Sequence, residues 1–186
     1  SQDDMLALPP QMRDGPLQEA FGLISRAGHP ILISNVSQLA LRHERPFIAG
    51  EGIPVWNRQA AGVLRMLGAK SICLSRELSG DEINELDPDA PEWILPVYGR
   101  AAVMLLNHCP ERVKRGLSSH RAGCTLCERG LGLRGKALTD RLQASYPLMP
   151  VHFPEGCLIT LLHHTPLNLL DRAPRDKSWL LDFTDE

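Results

Sequence analysis

Four of the five cysteines of this chain fall after residue 108, in the spacing C-x14-C-x2-C-x29-C: Cys109, Cys124, Cys127 and Cys157. A C-x2-C pair lets two thiolates converge through one tight turn, and Gly123 and Gly130 flank this one. Four thiolates suit a tetrahedral zinc ion or an iron–sulfur cluster. Structural zinc sites usually combine one C-x2-C with a second close pair, whereas here the other two cysteines are single and distant. Both single ones adjoin apolar runs, Leu105-Leu106 before Cys109 and Leu158 to Leu162 after Cys157. A shielded 4Fe–4S cluster is favoured over zinc. The competing reading is four ordinary buried thiols. For Cys73, inside an apolar strand, that reading is adopted. His108 and His120 are reserve ligands should the metal be zinc.

Other signals bound the setting. The chain of 186 residues has 43% hydrophobic and 23% charged residues, a globular composition. Its core must be aliphatic, since 30 Leu stand against 9 aromatic residues. No start of the signal-peptide kind is visible, and the longest apolar run, Ala101 to Leu106, is far short of a membrane span. A cytoplasmic location is expected, where cysteine clusters point to metal or redox chemistry before disulfides. The absence of an initiating Met suggests a piece of a longer protein.

The first half alternates short strands with amphipathic helices. Helices are expected at Leu17 to Ala27, Ser37 to Arg42 and Asn57 to Leu67, the last closed by Gly68. A further one opens on a Ser79/Glu82 capping box and runs to Leu86. Strands are expected at Ile31 to Ser34, Pro46 to Ala49, Ser71 to Leu74 and Trp93 to Tyr98. Successive βα units on a parallel sheet follow. The fold class is therefore α/β: the last strands of a partial TIM-type barrel over residues 1–98, then a small, irregular, β-rich cysteine module over 99–186. A whole barrel needs about 200 residues or more, so the remainder of the parent barrel or a second chain should complete the sheet, whose edges would otherwise be bare. A small independent α/β domain is the alternative. In the second half, strands are expected at Pro147 to Phe153, Cys157 to Leu162 and Trp179 to Phe183.

The net charge of −2 conceals segregation. Nine Lys/Arg and three acids lie between Arg100 and Arg141, a local balance of +6, while Asp81 to Glu92 carries six acids and no base. The basic stretch could hold RNA phosphates or a small carboxylate. It could equally solubilise a loop or pair with the acidic one. Aromatic residues for base stacking are scarce around it.

The order Tyr98-Gly99-Arg100, Met104, His108-Cys109-Pro110, Cys124-x2-Cys127, Asp140-Arg141, Pro147, Cys157, Thr160-Leu161-Leu162 and Pro166-Leu167-Asn168-Leu169 resembles the collagenase-like peptidase family U32. Upstream, Ser34-Asn35, Asn57 and Leu74-Ser75-Arg76-Glu77-Leu78 match its last barrel strands and loops, so the resemblance runs from about Leu8 to Leu170. It implies a TIM-type barrel and a 4Fe–4S cluster on Cys109, Cys124, Cys127 and Cys157. It also implies oxygen-independent hydroxylation, of an RNA base with prephenate as donor or of the ubiquinone-precursor ring. Older members carry a peptidase label. Two departures point to the long-chain branch: position 116 is Gly where a second Cys commonly follows the first, and Ala101-Ala102 follows Gly99-Arg100.

Candidate catalytic residues are Ser75 and Glu77, at a strand's C-terminal end where barrel enzymes keep their active sites, with Arg100. Asn35, Asn57 and Arg141 are candidates for substrate binding. For Ser75 and Glu77, turn and helix-start chemistry weighs as heavily, and Asn is also an ordinary cap. No H-E-x-x-H, G-x-S-x-G or Cys–His signature supports a peptidase. His163-His164 are strand neighbours on opposite faces and receive no role.

Overall fold

The computed structural model describes residues 5–11, 19–20, 22–24, 26, 30–42, 45–86, 92–118, 123–153 and 156–183. It is a mixed α/β chain with a curled half-barrel sheet and a separate antiparallel sheet. Contacts divide it into two compact units, 1–97 with 170–181, and 98–169 with 182–186.

In the first unit, β1 (Leu6–Ala7), β2 (Ile31–Ile33), β3 (Phe47–Ala49), β4 (Ala69–Cys73) and β5 (Glu92–Gly99) pair side by side in sequence order, all parallel. Their near-continuous apolar character has a physical cause. A parallel sheet is covered on both faces, so few of its positions tolerate a polar side chain. Ile31, Ile33, Phe47, Ala49, Ile72, Leu74 and Val97 are almost fully buried in one aliphatic core. The edge beyond β5 is not bare: β11 (Ser178–Leu181) pairs with it.

Helix α1 (Arg58–Met66) follows β3, with Asn57 as its N-cap accepting from Ala60 N at 2.9 Å, and Gly68 beyond its end at φ 98°. Ala61 and Leu64 face the core, with Ala60 and Leu67 packed beside them. Val63, though apolar, is exposed. Helix α2 (Gly80–Asn84) carries the reciprocal Ser79–Glu82 capping box. The expected helix at Ser37 to Arg42 is a 3-10 helix, Val36–Arg42. Asn35 tightens its start by accepting from Ser37 N and Oγ, both at 2.9 Å. Of the helix expected at Leu17 to Ala27, the described residues 19–20, 22–24 and 26 are helical and the rest lie outside the described residues.

The second unit is built on a sheet ordered β6 (Ala102–Leu106), β9 (Gly156–Leu162), β8 (Ser145–Phe153), β7 (Ala137–Thr139), every pairing antiparallel. The short strand β7 and helix α3 (Pro110–Lys114) were not signalled by the sequence patterns. Strand β10 (Leu167–Asn168) pairs with the last two residues of β5. Alternation on β9 sends Ile159 into a small core with Cys109, Leu133 and Leu148, and Cys157 and Leu161 pack beside it. No helix among the described residues is long and apolar enough to cross a membrane.

The turn after β3 is packed onto the end of β2. A Cβ on Gly52 would stand 1.9 Å from the backbone oxygen of Ser34. Replacing Gly52 with Ala must move backbone, and we expect a loss of about 1–3 kcal/mol. Chemical denaturation checks it, and a loss under about 0.5 kcal/mol would match a surface change instead.

Candidate functional site

Three separate segments bring the four thiols into one place in the second unit. Cys109 leaves β6 and stands at the N-cap of α3, with Pro110 supplying the fixed φ that starts a helix. Its carbonyl accepts from Arg112 N at 3.1 Å and Val113 N at 3.2 Å. The helix is short because Gly116 takes φ 67° directly after it. Gly116 N donates to Val113 O at 2.9 Å and Leu117 N to Arg112 O at 2.9 Å, a Schellman closure that an L side chain at Gly116 would strain. Glycine at 116 thus has a backbone reason.

The reversal places Ser118 against Arg112, whose Nε donates to Ser118 O at 2.6 Å and Nη2 to Ser118 Oγ at 3.2 Å. Nη1 of the same guanidinium lies 3.4 Å from Cys124 Sγ. Cys124 and Cys127 then sit on a tight turn, with Arg129 N donating to Thr125 O, Gly130 N to Cys127 O and Leu131 N to Leu126 O. Gly132 packs directly on Cys127, where a Cβ would come 2.2 Å from Sγ and 2.7 Å from the backbone nitrogen. Cys157 arrives on β9. Its register partner on β8 is His152, so the two side chains share a face, and Nδ1 lies 3.1 Å from Sγ.

Cys124, Cys127 and Cys157 line one cavity of about 280 Å³ with Gly123, Glu128, His152, Phe153 and Gly156. Cys109 and Cys157 belong to the apolar cluster of this unit. Burial pushes the Cys157 thiol up, the charges of Cys127, Cys124 and Cys109 push it further, and Arg112 pulls it back. Cys157 is therefore within electrostatic reach of the other three thiols, and all four are free of disulfides. Among the described residues, no group of three or more His, Cys, Asp or Glu side chains is placed to hold a metal ion.

In chemistry, though not in placement, the donor set suits a soft metal centre. Cys124, Cys127 and Cys157 line the cavity, Cys109 and Cys157 share the apolar cluster, and Gly132 leaves room for Cys127. Arg112 is buried beside Cys124, and its three nitrogens bond only Ser118 and that sulfur. A buried guanidinium without a carboxylate is costly unless an anion stands near it, and thiolates would be that anion.

The Cys157–His152 pair is a contact that sequence motifs did not disclose. A nucleophilic cysteine needs a lowered pKa, whereas burial and three neighbouring thiols drive this one upward, so the pair lacks the character of a peptidase dyad.

The other candidates lie elsewhere. Ser75 and Glu77 follow β4 in the first unit, where Ser75 Oγ accepts from Glu77 N at 3.3 Å and Glu77 is exposed. Asn35 and Asn57 are occupied as caps. Between them in sequence, Glu51 after β3 forms a forked pair with Arg76 after β4, at 2.5 and 2.9 Å. This is a polar feature of the sheet's C-terminal edge that no sequence spacing signals. Arg100 is in the second unit but donates to the carbonyls of His163, at 2.9 Å, and His164, away from the cavity lining. Arg141 is exposed. His120, the reserve ligand, is outside the described residues, and His108 is exposed. Missed by sequence reasoning were Arg112, His152 and Gly132.

Compared with models of protein families, with curated proteins and with solved structures, the chain matches none.

Cys73 is the contrasting thiol: burial, helped by Glu51 and opposed by Arg76, pushes it up to about 12. We expect alkylation at mildly alkaline pH to label Cys124, Cys127 and Cys157 while Cys73 reacts only on unfolding, read by mass spectrometry. Its folded pKa is raised, so its contribution to stability is lost as pH climbs from 9.0 toward about 12, where only the unfolded chain ionises. A second expectation concerns Gly132. Its replacement by Ala should cost about 1–3 kcal/mol and displace Cys127, seen as a lower melting temperature and faster Cys127 labelling.

Proposed function

We propose that the chain carries a 4Fe–4S centre on Cys109, Cys124, Cys127 and Cys157, and that it is part of an enzyme of the U32 type performing oxygen-independent hydroxylation of an RNA base or a small aromatic ring. The observation that supports the reading is that Cys124, Cys127 and Cys157, from two segments, line one cavity beside a buried arginine, with Cys109 in the apolar cluster against Cys157. A cluster bound there supplies one-electron chemistry at a site with an apolar floor.

The chain's own residues have separable tasks. The four cysteines hold the centre. Ile159, Leu133 and Leu148 exclude water from the Cys109 side. Exposed Arg129, Arg134 and Arg141 offer positive charge to phosphates or a carboxylate, since Lys136 is already engaged by Glu111 at 2.8 Å. In this reading, the five parallel strands of the first unit are the last part of a TIM-type barrel. The remainder of the parent protein or a second chain completes it, with Ser75, Glu77 and the Glu51–Arg76 pair on the edge where barrel enzymes bind substrate. Cytoplasmic location follows from thiols that need a reducing compartment.

Iron and sulfide analysis after anaerobic preparation tests the proposal. Four iron and four sulfide per chain, with visible absorption that bleaches on reduction, are expected for a cluster of this type. Colourless protein holding one zinc would overturn it in favour of a structural zinc site on the four cysteines. Cys124→Ser should lose most of the iron and lower the melting temperature; unchanged iron and melting would remove Cys124 from the ligand set. Purified chain that cleaves gelatin would favour the peptidase reading, and no cleavage is expected.

A further inference from the structure

We infer that Arg112 is a positioning residue of the four-thiol site, which holds a fixed positive charge against Cys124 Sγ and so raises the reduction potential of the cluster bound there. The inference rests on the cluster reading and adds a role that the ligand set alone does not assign.

Arg112 is 7% exposed and is the one charged residue among the buried polar residues described. Its placement is over-determined. The Schellman closure at Gly116 returns the chain, Ser118 takes two of the guanidinium nitrogens, and the third points at Cys124. The nearby acid, Glu111, is committed to Lys136 at 2.8 Å and to Arg115 at 3.6 Å. No carboxylate among the described residues neutralises Arg112, so its field falls on the sulfurs.

The sign follows from charge alone. Reduction adds one negative charge to a centre that four thiolates already make anionic. A fixed cation stabilises the reduced form more than the oxidised one, and the guanidinium cannot lose its proton. Lysine in its place keeps the charge but not the fork that spans Ser118 and Cys124. A buried charge exchanged for an apolar chain of similar length is usually tolerated by the fold. Arg112→Met is therefore the informative variant.

The experiment is a dye-mediated redox titration of the anaerobically reconstituted chain, with iron content and apo-protein melting measured in parallel. Arg112→Met is expected to keep its iron and bind the electron about tenfold less favourably, a potential about 59 mV lower for one electron. Arg112→Lys is expected to recover most of that shift. Arg112→Met titrating at the wild-type potential overturns the inference. So does equal iron loss and equal destabilisation in the Met and Lys variants, which would make Arg112 a structural brace of the Ser118 turn. Should the Met variant not fold, Arg112→Gln, which retains a donor for Ser118, is read by the same criteria. Wild-type protein that takes up no iron overturns the cluster reading itself and this inference with it. A loaded wild type with an indifferent Met variant overturns only this one.

Discussion

The second unit depends on the position of β9 between two antiparallel neighbours. Each ladder fixes register to the residue, and a slip of one would turn every side chain to the other face. With Leu106 opposite Ile159 and His152 opposite Cys157, the face of β9 that meets the small core carries Cys157, Ile159 and Leu161 together. The same ladder brings the exit of β6, and so Cys109, into the cluster that Ile159 anchors. The loop that carries Cys124 and Cys127 needs no regular structure, because it has only to reach a place the sheet has already defined. Glycine does the rest, by turning the chain at 116 and 130 and by making room at 132.

Charge in this unit is arranged, rather than averaged. Lys136 and Arg115 meet Glu111, and the Lys136 hydrogen bond holds that carboxyl below its usual range. Arg112 meets sulfur. The arginines that remain at the surface are those that a phosphate or a carboxylate can reach. A composition near neutrality therefore hides three environments for positive charge: paired, buried against thiols, and open.

The first unit was largely legible in the sequence because its signals are local. Continuous apolar runs such as Ser71 to Leu74 and Trp93 to Tyr98, the Asn57 cap and the Ser79–Glu82 box each act within a few residues. Expectation failed where distant chain segments decide. The pairing of β11 with β5 joins segments about eighty residues apart, and it covers an edge that local reading leaves bare.

By itself, the sequence determined that this chain has an aliphatic α/β body with four chemically conspicuous cysteines, since composition, period and spacing are properties of neighbours along the chain. Tertiary structure decided that three of those cysteines share one cavity while Cys109 joins the apolar cluster, that His152 and Arg112 attend two of them, and that Asn35 and Asn57 serve as caps. Such outcomes turn on ladder register and on where a buried charge finds its partner. Both are settled only when segments far apart in sequence compete for the same core.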